Sequence, residues 1–434
     1  MLRVVADILR RRRSDGWLVG GSVRDLELGR FSPDLDIVVQ DDPRAVARDI
    51  ARELQAPWFV LSERFPAYRV MGAGGHIDVA AARGQGILDD LAERDFTANA
   101  MAIPLEGAVM SCRTGVVDTA TLVDPFSGLE DLRRGRLVAV SERVFTDDPL
   151  RMLRAVRFAH VLGLAVDEQL AGSIQAHAPL LSTSAPERVV TEMCLTLAQG
   201  GTVKAVGLWH GLGLLGVALP EAALPDRLAP ALALLEQLDQ LLTRPEAWFP
   251  ESIGPLGERL ARPVDGVLGR PVALRLAGLL HRLPPAEAER VGRRLKLSGE
   301  MLSLLLAATR CLSDAGPEWT VPAPVSSGGP GRNAVLFLWA TSPWEPEVIL
   351  LSAARPSDGN LDAPRRLLRL WAEREAKPPG SPLNGDDLMR ELGLPGGRLL
   401  GSLLRDVRLA WEAGEVNTPA QALEMARSLL QSRA

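Results

Sequence analysis

The sequence has only three cysteines, three lysines and one tyrosine in 434 residues, and it has no long uninterrupted apolar run. Cys112, Cys194 and Cys311 are far apart and form neither a disulfide framework nor a zinc-binding spacing. No run approaches the eighteen apolar residues of a membrane-spanning helix. The first residues, MLRVVADILRRRR, are basic and amphipathic and lack the apolar core of a secretion signal. We therefore expect a protein of the reducing cytoplasm with no membrane partner.

The composition excludes wholesale disorder, because 47% of the residues are hydrophobic and 24% are charged. The net charge of −5 argues by itself against a nucleic-acid partner. Since only three of the 49 cationic residues are lysines, the other 46 are arginines. The planar guanidinium of arginine suits phosphates and base edges, so the placement of individual arginines carries more information than the total charge.

The pattern predicts an α/β head followed by a long all-helical remainder. Short β-rich runs bounded by Gly, Pro or Asp occur at 17–19, 35–39, 68–71 and 76–80, and 43–54 has helical spacing after two possible N-caps. From about Asp147 onwards the spacing is almost wholly helical. Breaks fall at 243–257, 316–333, 354–364 and 377–382, and the segment 316–333 is rich enough in Pro, Gly and Ser to be a linker.

A pair of glycines follows the first predicted strand, in Gly20-Gly21-Ser22 with Arg24 close behind. Glycines without a Cβ let backbone N–H groups approach an anion, and Arg24 is placed to bind the same anion through two hydrogen bonds. A lone glycine pair is usually only a turn. We infer a phosphate-binding loop because a second motif follows within ten residues.

That second motif is Asp34-Leu35-Asp36, whose two carboxylates point to one face if the segment is a strand. Paired carboxylates on one edge are the ligands that Mg²⁺ needs for in-line phosphoryl transfer. Asp78, on another predicted strand, shares its face with His76. It would be a third acid that activates the attacking hydroxyl, either as a metal ligand or as a base; the alternative is an ordinary solvent-facing strand residue.

A third group of polar residues opens the predicted helix after Asp147. Pro149 fits a helix N-terminus, and Asp148, Arg151 and Arg154 would then follow one stripe that Arg157 continues. A solvated ion-pair face explains the first pair adequately. Alternatively, the carboxylate and the arginine match the Watson–Crick edge of cytosine and, if they turn, that of adenine, whereas guanine and uracil lack this donor–acceptor pattern.

Five segments occur in the order LVGGSVRD, DLD, RDFTANAMAI, DPFSGLEDLRRGRL and DDPLRMLRAVRFA. Together they resemble the class II tRNA nucleotidyltransferases, the CCA-adding enzymes that share the polymerase-β-like superfamily with bacterial poly(A) polymerases. The resemblance implies an elongated, seahorse-like molecule. Its parts would be a nucleotidyltransferase head (1–140), a helical neck with the base-selecting helix (141–200), a helical body (201–318) and a helical, tRNA-binding tail (319–434).

The resemblance also implies roles for the matching residues. Gly20, Gly21, Ser22 and Arg24 match the triphosphate loop, Asp34 and Asp36 the Mg²⁺ ligands, Asp78 the third carboxylate, Arg94, Asp95 and Asn99 the motif that contacts ribose and triphosphate, Asp148 and Arg151 the protein template for C and A, and Arg154 and Arg157 the arginines beside it. The family usually has Glu at Asp147, Arg at Glu93 and Gly at Ser127. In the body, Leu279-Leu280-His281-Arg282 resembles an HD phosphohydrolase core in which Arg282 replaces the metal-binding Asp, so we expect a helical scaffold there.

The most informative departure is an absence. Full CCA-adding members insert about twenty residues or more between the third-carboxylate strand and the RDFT segment, whereas here Arg83 is followed almost directly by Asp90. In the family that loop reshapes the pocket for the switch from C to A. Its loss resembles the CC-adding subset, which would use CTP and Mg²⁺ on the acceptor and TΨC stem of tRNA and leave the last A to a separate enzyme. The alternatives are a full CCA-adding enzyme that also uses ATP, a poly(A) polymerase, and a catalytically silent RNA-binding relative.

Overall fold

The computed structural model describes residues 1–30, 32–63, 65–72, 74–114, 118–312, 331–355 and 360–433. These residues form two compact units, one of residues 1–184 with 212–214 and one of residues 185–211 with 215–434. Most of the predicted linker at 316–333, and part of the break at 354–364, lie outside the described residues. The finer division into head, neck, body and tail stays a prediction.

The first unit contains a mixed six-stranded sheet in the order β3-β4-β5-β2-β1-β6. Its strands are β1 (Gly16–Val19), β2 (Leu35–Val39), β3 (Trp58–Ser62), β4 (Ala67–Gly72), β5 (Gly75–Ala81) and β6 (Ala102–Pro104). Only the β2–β5 pair is parallel. A short parallel pair, β7 (Arg136–Leu137) and β8 (Ala165–Val166), forms a separate sheet. The predicted α/β head is confirmed, and β3 and β6 are additional to the predicted strands.

Helices flank this sheet and follow it. Those of the first unit are α1 (Leu2–Arg12), α2 (Gly21–Glu27), α3 (Pro43–Leu54), α4 (Ile87–Ala92), α5 (Leu105–Thr114), α6 (Gly128–Arg133), α7 (Val144–Asp147), α8 (Arg151–Leu162) and α9 (Glu168–His177), with 3₁₀ turns at Thr97–Asn99 and Ala178–Thr183. The predicted bounds of α3 are confirmed, since Asp42 caps it by accepting a hydrogen bond from the Arg44 N–H and Pro43 occupies the first turn.

One prediction about a helix start is wrong. Asp148 lies before α8, in extended conformation with φ −148° and ψ 102°, and the helix begins at Arg151. The cause is Pro149, because a proline disfavours the helical conformation of the residue before it. The RDFT segment contains a single 3₁₀ turn, Thr97–Asn99, and β6 begins shortly after it at Ala102.

The second unit is helical throughout its described residues. Its elements are α10 (Pro186–Leu197), α11 (Thr202–Gly211), α12 (Leu214–Ala218), α13 (Pro225–Thr243), α14 (Pro245–Trp248), a 3₁₀ turn (Pro250–Ser252), α15 (Ile253–Ala261), α16 (Arg270–Leu279), α17 (Pro285–Arg294), α18 (Gly299–Leu312), α19 (Arg332–Thr341), α20 (Glu345–Ala353), α21 (Asp362–Ala376), α22 (Gly385–Leu392), α23 (Arg398–Glu412) and α24 (Pro419–Arg433). Across the described ranges of the chain, no helix is both long and apolar enough to span a bilayer.

The HD-like segment of this unit is part of the scaffold. His281 is 2% exposed, and its Nδ1 lies 2.8 Å from the carbonyl oxygen of Gly278. In the part of the chain that the structure describes, no three His, Cys, Asp or Glu side chains converge on a position where they would hold a metal ion. His281 is therefore a buried residue that packs within its own turn.

The start of α6 fixes the position of the Thr97 turn against the sheet. Gly128 lies so close to the Thr97 carbonyl that a Cβ would meet its oxygen at 2.0 Å. Asp124 accepts hydrogen bonds from the N–H groups of Gly128 (2.7 Å) and Leu129 (3.0 Å). Ser127, the residue before Gly128, has a left-handed backbone conformation with φ 59° and ψ 33°. This conformation explains the family's preference for Gly there.

We predict that Ser127→Gly raises the free energy of unfolding by up to about 1 kcal/mol, because glycine adopts this conformation without the cost that a Cβ adds. Gly128→Ala is the matched opposite, since its Cβ would displace the Thr97 carbonyl. Thermal and urea unfolding of both variants measure the difference. A Ser127→Gly protein less stable than wild type would contradict the argument.

Candidate active site

The central pair of the site is Asp36 and Asp78. They lie on the parallel neighbours β2 and β5 and are direct register partners. Side chains of paired residues stand on the same face, with the strands about 4.8 Å apart. Asp34 precedes β2 by one residue, and its carboxylate accepts a hydrogen bond from the backbone N–H of His76 (3.2 Å). The fold thus places Asp36 and Asp78 side by side on one face of the sheet, with Asp34 beside His76, although the three carboxylates do not converge on one point.

Two of these carboxylates are held by basic side chains. Arg69 on β4 is the direct antiparallel partner of Asp78, and its Nε and Nη2 donate to the two carboxylate oxygens at 2.7 and 2.8 Å. The Nδ1 of His76 lies 2.7 Å from Asp34 Oδ1. A metal ion at this edge would therefore compete with Arg69 and His76 for their carboxylates.

The Asp36 carboxylate lies in surroundings that disfavour its negative charge. It is accessible to solvent yet surrounded by protein atoms that displace part of its hydration shell. This desolvation, and then the neighbouring charge of Asp78, raise the pKa of the Asp36 carboxyl above its ordinary value. A divalent cation would relieve both effects, and two neighbouring carboxylates are the kind of oxygen donors that Mg²⁺ takes.

Ser22 connects the carboxylate motif to the glycine pair. It is 8% exposed, and its hydroxyl donates to the Asp34 carbonyl (3.3 Å) and accepts from the Asp36 N–H (2.9 Å). The hydroxyl thus positions the segment that carries Asp34 and Asp36 from the first turn of α2.

Gly20 lies where the first strand meets the RDFT segment. Its φ is +65°, and an added Cβ would meet the Arg94 Nη1 at 2.5 Å, so both conformation and space require glycine. Arg94 Nη1 also donates to the Asn99 carbonyl (3.3 Å), and its Nη2 and Nε donate to Asp90 Oδ2 at 2.9 and 3.2 Å. Asp90 is 4% exposed. Arg94 is thereby fixed beside the glycine pair.

A hydrogen-bonded chain runs from Arg24 to α8. Arg24 Nη1 donates to Asn99 Oδ1 (2.6 Å), the Asn99 Nδ2 donates to Asp95 Oδ1 (3.0 Å), and Arg154 Nε donates to Asp95 Oδ2 (2.9 Å). Burial alone would raise the pKa of Asp95, but Arg154, Asn99 and the Phe96 N–H outweigh it and lower that pKa. Asp95 is therefore an ionised, buried anchor between arginines.

The ring of Phe158 is the centre of the basic side of the site. The guanidinium carbons of Arg24, Arg154 and Arg157 lie 5.5, 5.3 and 4.5 Å from its centroid, within the range of cation–π attraction. Phe96 packs edge-on against the same ring at 5.8 Å. Three guanidiniums around one buried ring concentrate positive charge where the predicted triphosphate site lies.

The predicted template residues flank the start of α8. Asp148 Oδ1 accepts from the Leu150 N–H (3.1 Å), and Arg151 Nη2 donates to the Glu93 carbonyl (2.8 Å). Both side chains are partly exposed. The residue pair expected to read the base is thus present and oriented by backbone contacts.

Comparison with known proteins matches this site and the fold around it. Residues 16–138 match the model of the poly A polymerase head domain, and residues 163–224 match that of a probable RNA- and SrmB-binding site of polymerase A. A CC-adding tRNA nucleotidyltransferase of Geobacter sulfurreducens is 34% identical, over 96% of this chain and 93% of that protein. The chain belongs to the tRNA nucleotidyltransferase family.

Other members of the family are similar along their whole length. An A-adding tRNA nucleotidyltransferase of Deinococcus radiodurans is 30% identical, over 93% of each chain. A solved complex of a CCA-adding enzyme with ATP superposes with a TM-score of 0.73 over 99% of this chain and 94% of that one, at 21% identity. That structural match confirms the predicted fold class. The names of the relatives divide between CC-adding, A-adding and CCA-adding enzymes, so they do not decide the nucleotide.

Three residues of the site were not predicted from the sequence. Arg69 was seen only as part of a strand, although a hairpin of two strands separated by Gly72 to Gly75 would have paired it with Asp78. Phe158 lies on α8 with Arg154 and Arg157, whereas Arg24 reaches its ring from α2. Asp90 lies four residues before Arg94, which is the spacing of an ion pair within one helical turn, so a local signal for this pair is present in the sequence.

We predict that Asp36→Asn raises the melting temperature at pH 7 while abolishing activity. The folded-state pKa of Asp36 lies above the unfolded one, so the ionised carboxyl lowers stability at pH values above that folded pKa. This penalty disappears below the unfolded value near 4. The gain from Asn should therefore be full at neutral pH and shrink as the pH falls through that window. Calorimetric melting in metal-free buffer from pH 3 to 8 measures it, and a gain independent of pH would contradict the electrostatic cause.

We predict that Arg154→Met lowers the free energy of unfolding by about 3 kcal/mol, since it leaves Asp95 buried without its cation. This value is at the low end of the range for broken buried ion pairs, because Asp95 keeps its hydrogen bonds from the Phe96 N–H and the Asn99 amide. Since the folded pKa of Asp95 is lowered, the contribution of the pair is present above its unfolded pKa near 4 and is lost as the pH falls through the folded value. Asp95→Asn with Arg154→Met should recover part of the loss. Equal loss in the single and double variants would argue against the pair.

Proposed function

We propose that this chain is a Mg²⁺-dependent nucleotidyltransferase that adds two C residues to the 3′ end of tRNA from CTP, leaving the terminal A to a separate A-adding enzyme. The single observation that carries the choice of CC over CCA is the connection between β5 and α4. Only Ala82 to Gly86 separate the strand that bears Asp78 from the helix before the RDFT segment. Low cysteine use supports the cytoplasm as the site of this reaction.

The short length of this connection supports a base pocket that keeps one shape. Five residues span at most about 18 Å when extended, and most of that length joins the strand to the helix. The Gln85 N–H donates to Asp89 Oδ2 (2.7 Å), which folds the turn back onto α4. Too little chain is left for a loop that reaches the template residues and reshapes them for ATP.

The proposed chemistry separates into an acidic and a basic part. Asp34 and Asp36 would hold Mg²⁺, with Asp78 as a third carboxylate near the attacking 3′-hydroxyl. The metal supplies Lewis-acid stabilisation of the charge that develops on the phosphoryl group. Gly20, Gly21 and Arg24 would bind the triphosphate, and Arg94, Asp95 and Asn99 would fix the ribose side. Asp148 would accept from the cytosine N4 amino group while Arg151 donates to O2 and N3.

The tRNA would be bound by its acceptor and TΨC stem, through shape and backbone contacts. Support for this partner comes from the match of 163–224 to an RNA-binding region and from a solved CCA-adding enzyme in complex with tRNA. Two arginines at the end of α17 are paired with carboxylates. Arg293 lies 2.6 Å from Glu289, and Arg294 lies 2.6 Å from Glu221. Their net contribution to RNA affinity is correspondingly reduced.

The test is single-turnover extension of a tRNA transcript that ends at the discriminator base. We expect CTP alone to give a product two nucleotides longer, and added ATP to extend it slowly or not at all. Asp34→Ala and Asp36→Asn should lose at least about a thousandfold in rate, since removal of a metal ligand forfeits several kcal/mol of transition-state stabilisation. Binding of tRNA by either variant should stay near that of wild type.

Each alternative has its own product. A three-nucleotide product with both nucleotides present would identify a full CCA-adding enzyme, and long ladders with ATP on unrelated RNA would identify a poly(A) polymerase. No extension with any nucleotide by wild-type protein, under conditions where it binds tRNA, would identify the catalytically silent relative. Arg134→Ala is the control for a general effect of substitution on the head, and it should extend tRNA like the wild-type protein. Arg134 is suitable because it is an exposed arginine that pairs with Glu130 within one helical turn.

A further inference from the structure

The short connection after β5 contains an arginine with three contacts. The guanidinium carbon of Arg83 lies 5.6 Å from the centre of the Phe65 ring. Its Nη1 donates to the backbone carbonyl of Glu93 (3.4 Å), and its Nε lies 3.8 Å from Asp90 Oδ1. Arg83 therefore joins the β3–β4 turn, where Phe65 stands, to the end of α4.

The Glu93 carbonyl that Arg83 contacts is also the acceptor for Arg151, at 2.8 Å from Nη2. A carbonyl oxygen has two lone pairs and accepts two donors. Arg83 and the template arginine thus share one backbone atom, which is itself at the C-cap of α4. The helix end is fixed further by Asp90, which is buried and holds Arg94.

This arrangement bears on base choice because C and A share part of their hydrogen-bonding pattern. Each presents an amino donor beside a ring-nitrogen acceptor, and cytosine adds the O2 acceptor, so the shared pair of groups does not separate the two bases. The second ring of adenine places its Watson–Crick edge farther from the ribose. A template that serves both bases must therefore move its arginine, and a template arginine that is held in place fits one base size.

We propose that Arg83, stacked on Phe65, is a specificity-determining positioning residue. It holds the Glu93 carbonyl, and through it Arg151, in the setting that fits cytosine. Arg83 acts here as a link between the Phe65 ring and the Glu93 carbonyl, although its side chain is 46% exposed. The inference rests on the proposed function in so far as it takes Arg151 as the residue that reads the incoming base.

The experiment measures kcat/KM for CTP and for ATP at the first added position, on a tRNA that ends at the discriminator base. Every CC-adding or CCA-adding enzyme must choose C at that position, so the ratio is informative whether or not the wild-type protein stops after two additions. We expect Arg83→Ala to lower the CTP-over-ATP ratio at least about fivefold, a coupling of ordinary size for residues linked through one acceptor. Phe65→Leu, which removes only the stacking, should lower it in the same direction by less.

A double-mutant cycle tests the route through Arg151. In an Arg151→Ala background, Arg83→Ala should change the ratio no further, because there is no template arginine left to hold; Arg134→Ala should leave it unchanged in either background. An unaltered ratio in Arg83→Ala protein that melts like wild type would overturn the proposal, as would additive effects in the cycle. If Arg83→Ala does not fold, the Phe65→Leu ratio decides alone. Failure of the CC-adding assignment would instead appear as a third nucleotide added by the wild-type protein.

Discussion

The repulsion between two neighbouring carboxylates organises this site. The parallel pairing of β2 and β5 places Asp36 directly beside Asp78, and the backbone ladder leaves neither residue free to slide away, because a shift of one position would turn every side chain of the strand over. The neighbouring strand β4 reduces this repulsion in part, since Arg69 is in register with Asp78 and pairs with both of its carboxylate oxygens. At Asp36, desolvation first and the charge of Asp78 second still raise the pKa of the carboxyl.

The opposite charge is concentrated a short distance along the same chain. Arg24, Arg154 and Arg157 surround Phe158, and their charge is offset in part by Asp95, which pairs with Arg154, and by Asp25, which pairs with Arg24. The same unit thus contains a pair of neighbouring carboxylates and a group of arginines, the two kinds of charge that the proposed function assigns to a divalent cation and to phosphates. A nucleoside triphosphate with its metal carries both charges, so each half of the site is satisfied only when such a ligand joins them.

Sequence reasoning found the parts of this site that are encoded locally. Strands β1, β2, β4 and β5 have clear boundaries, and Asp42 with Pro43 marks the start of α3. Sequence reasoning fails where two local rules compete. At Asp148, helical spacing places the residue on a stripe with Arg151, whereas Pro149 disfavours the helical conformation of the residue before it. Strand β3 was missed because Trp58 to Leu61 form an apolar run without alternation. The pairing of Arg69 with Asp78 and the approach of Arg24 to Phe158 depend on register and packing between elements, which no local pattern contains.

The connection after β5 shows how a shorter chain can make a pocket more selective. Cytosine and adenine share an amino donor beside a ring-nitrogen acceptor, and they differ in the O2 acceptor of cytosine and in the distance of the shared pair from the ribose. A difference in distance is discriminated best by groups that are held in place. A long mobile loop would allow the template to move and would admit both bases. Here the turn is folded back on Asp89, Arg83 is stacked on Phe65, and the Glu93 carbonyl takes hydrogen bonds from Arg83 and Arg151 together. In the proposed mechanism, discrimination between the two bases therefore depends on how firmly these contacts hold the Arg151 guanidinium in place.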